Sequence, residues 1–348
     1  MSAHTEQREQ SPGSATTSPT GRLRALDAIR GLAIVIMLLA GNPFPREHLP
    51  NPLRHPDWEG LTFADLFFPL FLFAMGVAMT LSRRAGSPRL VLRRVFLLIV
   101  FGIALTSLKH ERFAAFGVLQ HIAGAYLLAW FVLRAPRKMQ PAIASAILLV
   151  MWGAFLVFAN GDPWGEQNTF AHDVQGWLIG GFSTEGPVQT VTSAVTVLGG
   201  AFVGLGMRMR RDPRVLLRWV SSYAVWFIAA GLIAGLVIPI NKRLWTPSFT
   251  LLTIGSSCAW FALLIWLSDV RRRVWLVRPL EDLGANPIAI YLLFMTLTAI
   301  FDQFRSSWPE LSVLGSKGAG TLVYGFAWTA LAAVFAHLLV RRRIYIKL

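Results

Sequence analysis

Apolar stretches of about twenty residues, separated by short polar segments that carry most of the charge, follow one another from residue 25 to residue 340. Ten can be counted, at approximately 25–41, 61–81, 90–108, 114–133, 140–159, 188–208, 216–239, 247–267, 281–302 and 319–340. Most come close to the roughly 20 residues that a helix needs to cross about 30 Å of hydrocarbon. Helices are the expected form, because in lipid every backbone N–H and C=O must be satisfied within its own segment. The first stretch is the least regular, with Asp27 and Arg30 at its start. The pattern predicts an all-α membrane protein, a polytopic bundle of about ten transmembrane helices.

The polar segments set an orientation. With the N-terminus inside, the cytoplasmic pieces hold 24 Lys and Arg against 8 on the other side, and Arg30 lies within the membrane. That alternation follows the positive-inside rule across all ten crossings. Both termini are therefore expected in the cytoplasm, and the protein in the cytoplasmic (inner) membrane. Residues 1–21 are rich in Ser, Thr, Pro and Gln and read as a disordered cytoplasmic tail. They lack the apolar stretch of about 7–15 residues that a signal peptide requires. Residues 22–348 then form one transmembrane domain. The longest outer segment, 160–187, carries Asp162, Glu166, Asp173 and Glu185 and no Lys or Arg; its part 174–182 predicts an interfacial segment. The spaced pairs Gly200/Gly204 and Gly231/Gly235 predict close helix packing. No internal repeat of the inverted-repeat transporter kind is evident.

Composition agrees with this picture. Of 348 residues 54% are hydrophobic and 15% charged, where a soluble domain has about a quarter charged. The net charge of +15 would suit nucleic acid, yet the basic residues sit in clusters between apolar runs, so topology accounts for them and no nucleic-acid partner is expected. The single cysteine, Cys258, excludes an intrachain disulfide and a multi-cysteine metal site. The seven histidines show no zinc-binding spacing, and no metal site is predicted.

Ionisable groups near the membrane are costly and few. Asp27 and Arg30 lie three apart on one helix face, either as a self-neutralising pair or with Arg30 as a phosphate ligand. Segment 53–73 is the richest. It places His55 just before the second helix on the outer side, with Asp57 and Glu59 close by and Asp65 about one turn into the membrane. A neutral imidazole there can take a proton from an attacking group or attack an acyl group itself; a lone loop histidine is more often simply solvated. Gln120 and His121, and Asn241, Lys242 and Trp245, fall on the same side, as interfacial anchors or as parts of one outer pocket. Asn286 lies near the opposite end.

Six pieces in order, 22–34 (RLRALDAIRGLAI), 55–69 (HPDWEGLTFADLFFP), 117–122 (GVLQHI), 185–186 (EG), 239–246 (PINKRLWT) and 283–291 (LGANPIAIY), resemble the transmembrane acetyltransferases typified by heparan-α-glucosaminide N-acetyltransferase and its shorter bacterial relatives. The resemblance implies transfer of acetyl from cytoplasmic acetyl-CoA to an amino sugar or related saccharide on the outer side. It implies that His55, matching the histidine of the H-x-x-W-x-G motif, is the general base or a transient acyl carrier. Asp57 or Glu59 would orient His55, and Asp65 and Asn42 would polarise or position the reacting groups. Arg30, Gln120, Asn241, Lys242, Trp245 and Asn286 would bind substrates. The expected partners are acyl-CoA, a saccharide and the lipid bilayer, and a homo-oligomer is compatible with the sequence. The chain departs from the family pattern at Gly41, which stands where an asparagine assists the histidine, at Glu59 for an asparagine, and at Ala114 and His121 for two arginines. Two rival readings are a transporter or flippase of a polar lipid or sugar, and a relative that binds acyl-CoA without transferring the acyl group.

Overall fold

Each of the ten apolar stretches contains a helix in the computed structural model, which describes residues 24–41, 49–82, 86–110, 113–210, 212–307 and 318–346. The tail 1–21 and Asn42 lie outside the described residues. The helices are α1 (Arg24–Ala40), α2 (Phe67–Leu81, entered through a 3-10 turn Phe63–Leu66), α3 (Pro88–His110), α4 (Val118–Val132), α5 (Gln140–Val157), α6 (Phe170–Ile179), α7 (Pro187–Met209), α8 (Pro213–Ala234), α9 (Pro247–Ile265, extended by a π turn Trp266–Val270), α10 (Val274–Ala285), α11 (Pro287–Ser307) and α12 (Gly318–Arg341). Eight are long and apolar enough to cross a membrane; α4, with 15 residues, and α1, with 17, are shorter. The protein is an all-α, polytopic membrane protein. The described residues form no strand, and their one β-type contact is an isolated parallel bridge between Gly60 and Asn241.

Two helices depart from the expected pattern. Residues 281–285 belong to α10, an amphipathic helix with Arg278, Glu281 and Asp282, and not to the start of a spanning helix. The chain breaks at Asn286, because Pro287 takes the first position of α11, where its missing N–H costs nothing. In the long outer segment, α6 is a short helix that leaves Trp177 85% exposed and ends at Gly180, whose φ of 75° needs a residue without Cβ.

Burial sorts the bundle. The spanning windows of α2 and α7 are 78% buried and that of α9 61%, against 17–33% for α3, α5, α8, α11 and α12. A helix that is apolar all round, as α2 is, can be covered on all sides. The outer helices turn residues such as Phe96, Val150 and Val225 outward, as a lipid-facing surface requires. Small residues let the central helices touch backbone to backbone: a Cβ on Gly200 of α7 would overlap the Phe73 carbonyl of α2, and one on Gly76 of α2 would overlap the Val197 carbonyl. The expected close packing thus holds at Gly200, at Gly204 against Thr80 and at Gly231 against Leu252, whereas Gly235 caps the end of α8. Gly31 and Gly284 seat α1 against α10 in the same way.

Candidate active site

At one end of the bundle, the chain entering α2 makes a tight turn. Thr62 is extended and caps the 3-10 turn: its N–H and its hydroxyl both donate to Asp65 Oδ2 at 2.9 Å. The carboxylate is thereby fixed with its other oxygen, Oδ1, facing the loop that carries His55. His55 Nδ1 lies 2.6 Å from Oδ1, and Lys242 Nζ lies 3.0 Å from the same atom. Asp65 is fully buried, whereas the His55 and Lys242 side chains keep 33% and 22% of their exposure.

This geometry fixes the imidazole tautomer. A carboxylate can only accept, so Nδ1 carries the proton and donates it to Asp65. The Lys242 ammonium, 3.3 Å from Nδ1, is then a second donor on the shared oxygen and not a partner of the ring. Among the described residues nothing hydrogen-bonds to Nε2, and its lone pair is free. Asp65 has every acceptor site used and a cation beside it, which is the condition under which a buried carboxylate is tolerated.

The two loops are held in register by the bridge from Gly60 to Asn241. The 239–246 loop folds on itself: Leu244 N–H donates to Asn241 Oδ1 at 3.0 Å, Asn241 N–H to Thr246 Oγ1 at 3.1 Å, and Thr246 Oγ1 to the Pro239 carbonyl at 2.8 Å. From the other side, Trp58 Nε1 donates to the Trp164 carbonyl at 2.7 Å, and its ring packs near His172 and Phe182, which stack 4.2 Å apart. Burial holds the His172 imidazole below its ordinary range, against the opposing pull of Asp173 and Glu166.

The structure brings together some of the expected residues and separates others. The acidic partner of the His55 ring is Asp65, ten positions away; Asp57 is 91% exposed and faces Arg54 at 3.7 Å, and Glu59 is exposed. Both neighbours sit on the outward side of a loop whose inward turn is made by Thr62 and Asp65. Lys242 belongs to the cluster itself. Asn241 and Trp245 are buried in the adjoining loop, and Asn241 Nδ2 and Trp245 Nε1 have no hydrogen-bond partner among the described residues. His121, on the first turn of α4, packs between Phe68 and Trp245 at 5.3 and 5.0 Å. Arg30, in the first half of α1, is not part of the cluster and pairs with Asp27 at 3.1 Å. Asn286 is likewise remote, and its side chain is consumed in holding the C-terminal segment: Nδ2 donates to the Ile344 carbonyl at 3.0 Å, and Oδ1 accepts from the Ile346 N–H at 2.7 Å. These two bonds tether the C-terminal segment.

Sequence reasoning did not find Thr62, whose value lies only in its turn, or a cavity of about 490 Å³ at the same end of the bundle. Gly41, Gly102, Lys109, Glu185, Tyr291 and Asp302 are among the residues that line it. Gln120 is buried beside it, its amide oxygen against Gly102 and Gly117, and both of its amide atoms lack a hydrogen-bond partner among the described residues.

A polytopic helical membrane protein with a carboxylate-oriented histidine at one end of its bundle is the class that fold and site define. Residues 22–192 match the family model described as heparan-alpha-glucosaminide N-acetyltransferase, catalytic, a range that includes His55, Asp65, Gln120 and Glu185. The mouse heparan-alpha-glucosaminide N-acetyltransferase is 25% identical over 413 residues, covering 95% of this chain and 61% of the relative. The human protein of the same name is 25% identical over 412 residues, covering 94% and 60%. The chain is therefore similar to the heparan-α-glucosaminide N-acetyltransferase family along nearly its whole length, and it spans about three fifths of the length of these curated relatives.

Proposed function

We propose that the protein is a membrane-embedded acetyltransferase that moves acetyl from acetyl-CoA, taken from the cytoplasm, to an amino sugar or related saccharide on the outer side. The observation that carries this reading is His55 anchored through Nδ1 on buried Asp65, with Nε2 free. The similarity to the acetyltransferase family along nearly the whole chain supports the same class of reaction.

Nε2 is the base in this proposal. It takes a proton from the acceptor amine as the nitrogen attacks the thioester carbonyl; the tetrahedral intermediate then collapses, breaking the C–S bond. The leaving thiolate recovers the proton from the imidazolium. Asp65 stabilises the cationic ring in between and keeps it in the productive tautomer. Lys242 neutralises the resting Asp65, so the dyad can be buried before any substrate arrives. The alternative use of Nε2 is as a nucleophile forming acetyl-imidazole, which the same anchoring serves. The donor phosphates would meet the opposite end of the bundle, where Arg271, Arg272 and Arg273 are exposed near the π turn that ends α9.

The test is His55→Ala in the detergent-purified protein, offered acetyl-CoA and a panel of amino sugars. Turnover should fall at least about a hundredfold, the usual contribution of a general base. Near-normal turnover would overturn the assignment. Acid quench of the wild type with labelled acetyl-CoA separates the two routes, since only the nucleophilic one leaves label on the protein.

A further inference from the structure

The 490 Å³ cavity is not lined by His55, Asp65 or Lys242, and two of its walls are peripheral helices of the bundle. α3 contributes residues 102, 105, 106, 109 and 110, and α11 contributes 291, 295, 298, 299, 302 and 303; spacings of three and four put each set on one helix face. The spanning windows of these helices are only 22% and 33% buried, so their other faces meet lipid: Val100 and Phe101 of α3, and Leu297 and Phe304 of α11, are exposed. Gln303 sets the two walls level with each other, its Nε2 donating to the Leu108 carbonyl at 3.3 Å.

With that rung fixed, the lining changes character with depth. At the mouth stand Lys109, His110 and Asp302, all exposed, and the loop before α7 brings half-buried Glu185 to the same end. One helical turn further in come Leu105 and Ala299, and two turns in come Gly102 and Met295. Thr106 and Tyr291 add hydroxyls to this inner part, whereas the Thr298 hydroxyl is turned back on the Phe294 carbonyl at 2.8 Å. A soluble polar ligand gains little from such an inner wall; an amphiphile with a charged head and a hydrocarbon tail matches both levels. The head is specified by charge. Lys109 and His110 suit a phosphate, and Glu185 and Asp302 suit an ammonium, so a zwitterion fits where a purely anionic head would face two carboxylates. The ammonium is primary: a quaternary one is held by a cage of rings, and of the lining aromatics Phe116 and Tyr291, the second lies three turns down. The volume falls within the range of about 300–1,000 Å³ typical of small-ligand sites, enough for a head and the first part of a chain.

We infer that the cavity is a binding site for a phospholipid with a phosphoethanolamine head, drawn from the leaflet at this end of the bundle. The phosphate meets Lys109 and His110, the ammonium meets Glu185 and Asp302, and an acyl chain lies against Leu105, Met295 and Ala299. The site does not depend on the proposed acetyltransfer. The experiment is native mass spectrometry of the full chain, delipidated in detergent and offered phosphatidylethanolamine, phosphatidylcholine and phosphatidylglycerol with identical acyl chains. The wild type should retain phosphatidylethanolamine at least about tenfold better than the other two, the size of one hydrogen bond to a charged group. Glu185→Gln should erase that preference. Lys109→Gln, at an exposed position, should lower retention of all three lipids about threefold, since each carries the phosphate. Ala299→Phe should fill the inner wall and abolish retention. Equal retention of the three lipids by the wild type would overturn the inference. So would a folded Ala299→Phe protein that holds phosphatidylethanolamine as the wild type does, which would place the lipid on the outer surface of the bundle. Displacement by an equal concentration of soluble O-phosphoethanolamine would overturn it too, because the tail would then contribute nothing.

Discussion

Replacing Asp65 by Asn changes one oxygen into an amide nitrogen at nearly constant volume, which makes it a clean probe of the histidine cluster. The substituted side chain has two ways to sit, and each conflicts with a donor already in place. With its amide nitrogen toward Thr62, it meets the Thr62 N–H, which now donates at 2.9 Å. With its nitrogen toward the loop, it opposes Nδ1–H and the Lys242 ammonium, which now share Oδ1 at 2.6 and 3.0 Å. The second arrangement is relieved only if the ring adopts the opposite tautomer, which puts a proton on Nε2 and removes the base. Turnover should therefore drop at least about a hundredfold, as for loss of the base itself. Stability should fall as well. Removing one partner of a buried ion pair costs about 3–5 kcal/mol, and the 22% exposure of Lys242 places this case at the low end, about 3 kcal/mol. His55→Ala should show the same loss of turnover with much less loss of stability, because Asp65 keeps Lys242 and Thr62. Thiol release from acetyl-CoA and thermal unfolding, measured on both variants in one detergent, give the two readouts. An Asp65→Asn protein that turns over within about threefold of wild type would refute the tautomer argument, since general-base effects are far larger than that.

Three further outcomes are expected. Gly200→Val should overfill the contact between α7 and the Phe73 carbonyl and lower thermal stability by about 1–3 kcal/mol or more, read as a shift in the unfolding midpoint. Because the folded state holds His172 below its ordinary value of 6.5 by burial, it resists a proton that the unfolded chain accepts. The 160–186 segment should thus lose amide protection, judged against the intrinsic exchange rate at each pH, as pH falls below about 6.5, and His172→Gln should flatten that dependence. Asn286→Ala should free the C-terminal segment, seen as faster trimming by carboxypeptidase, with a smaller effect on turnover than His55→Ala.

The spanning helices were legible because lipid imposes a length and an apolarity that few other contexts demand. What the apolar count could not resolve was α10. Its Arg278, Pro279, Glu281 and Asp282 look like a polar connection in one dimension, and only packing on Gly31 makes them a helix. In the site, Asp65 was readable as a lone carboxylate inside the run 61–81. Its partnership with His55 was not, because Asp57 and Glu59 are nearer in sequence and the 3-10 turn that reverses the order depends on the Thr62 cap. Lys242 was placed on the right side as an anchor or ligand, yet its pairing with Asp65 spans segments with no sequence relation. The cavity was not legible, because its lining, Gly41, Lys109, Glu185 and Tyr291 among it, is gathered from segments far apart in the chain. Asn286 carried a signal, a polar residue before Pro287, that marked a helix start and its tether to the C-terminal segment.

His55 and Lys242 are 187 positions apart and are brought together by the Gly60–Asn241 bridge and the shared carboxylate. At about 5–20 residues per second, translation takes roughly 10–40 s to deliver the lysine after the histidine. Through that interval Asp65 has Thr62 and His55 but not its cation, and a carboxyl in that position is best accommodated protonated. The cluster thus ties the site to the order of synthesis: Asp65 gains its cation only once the loop before α9 has been made.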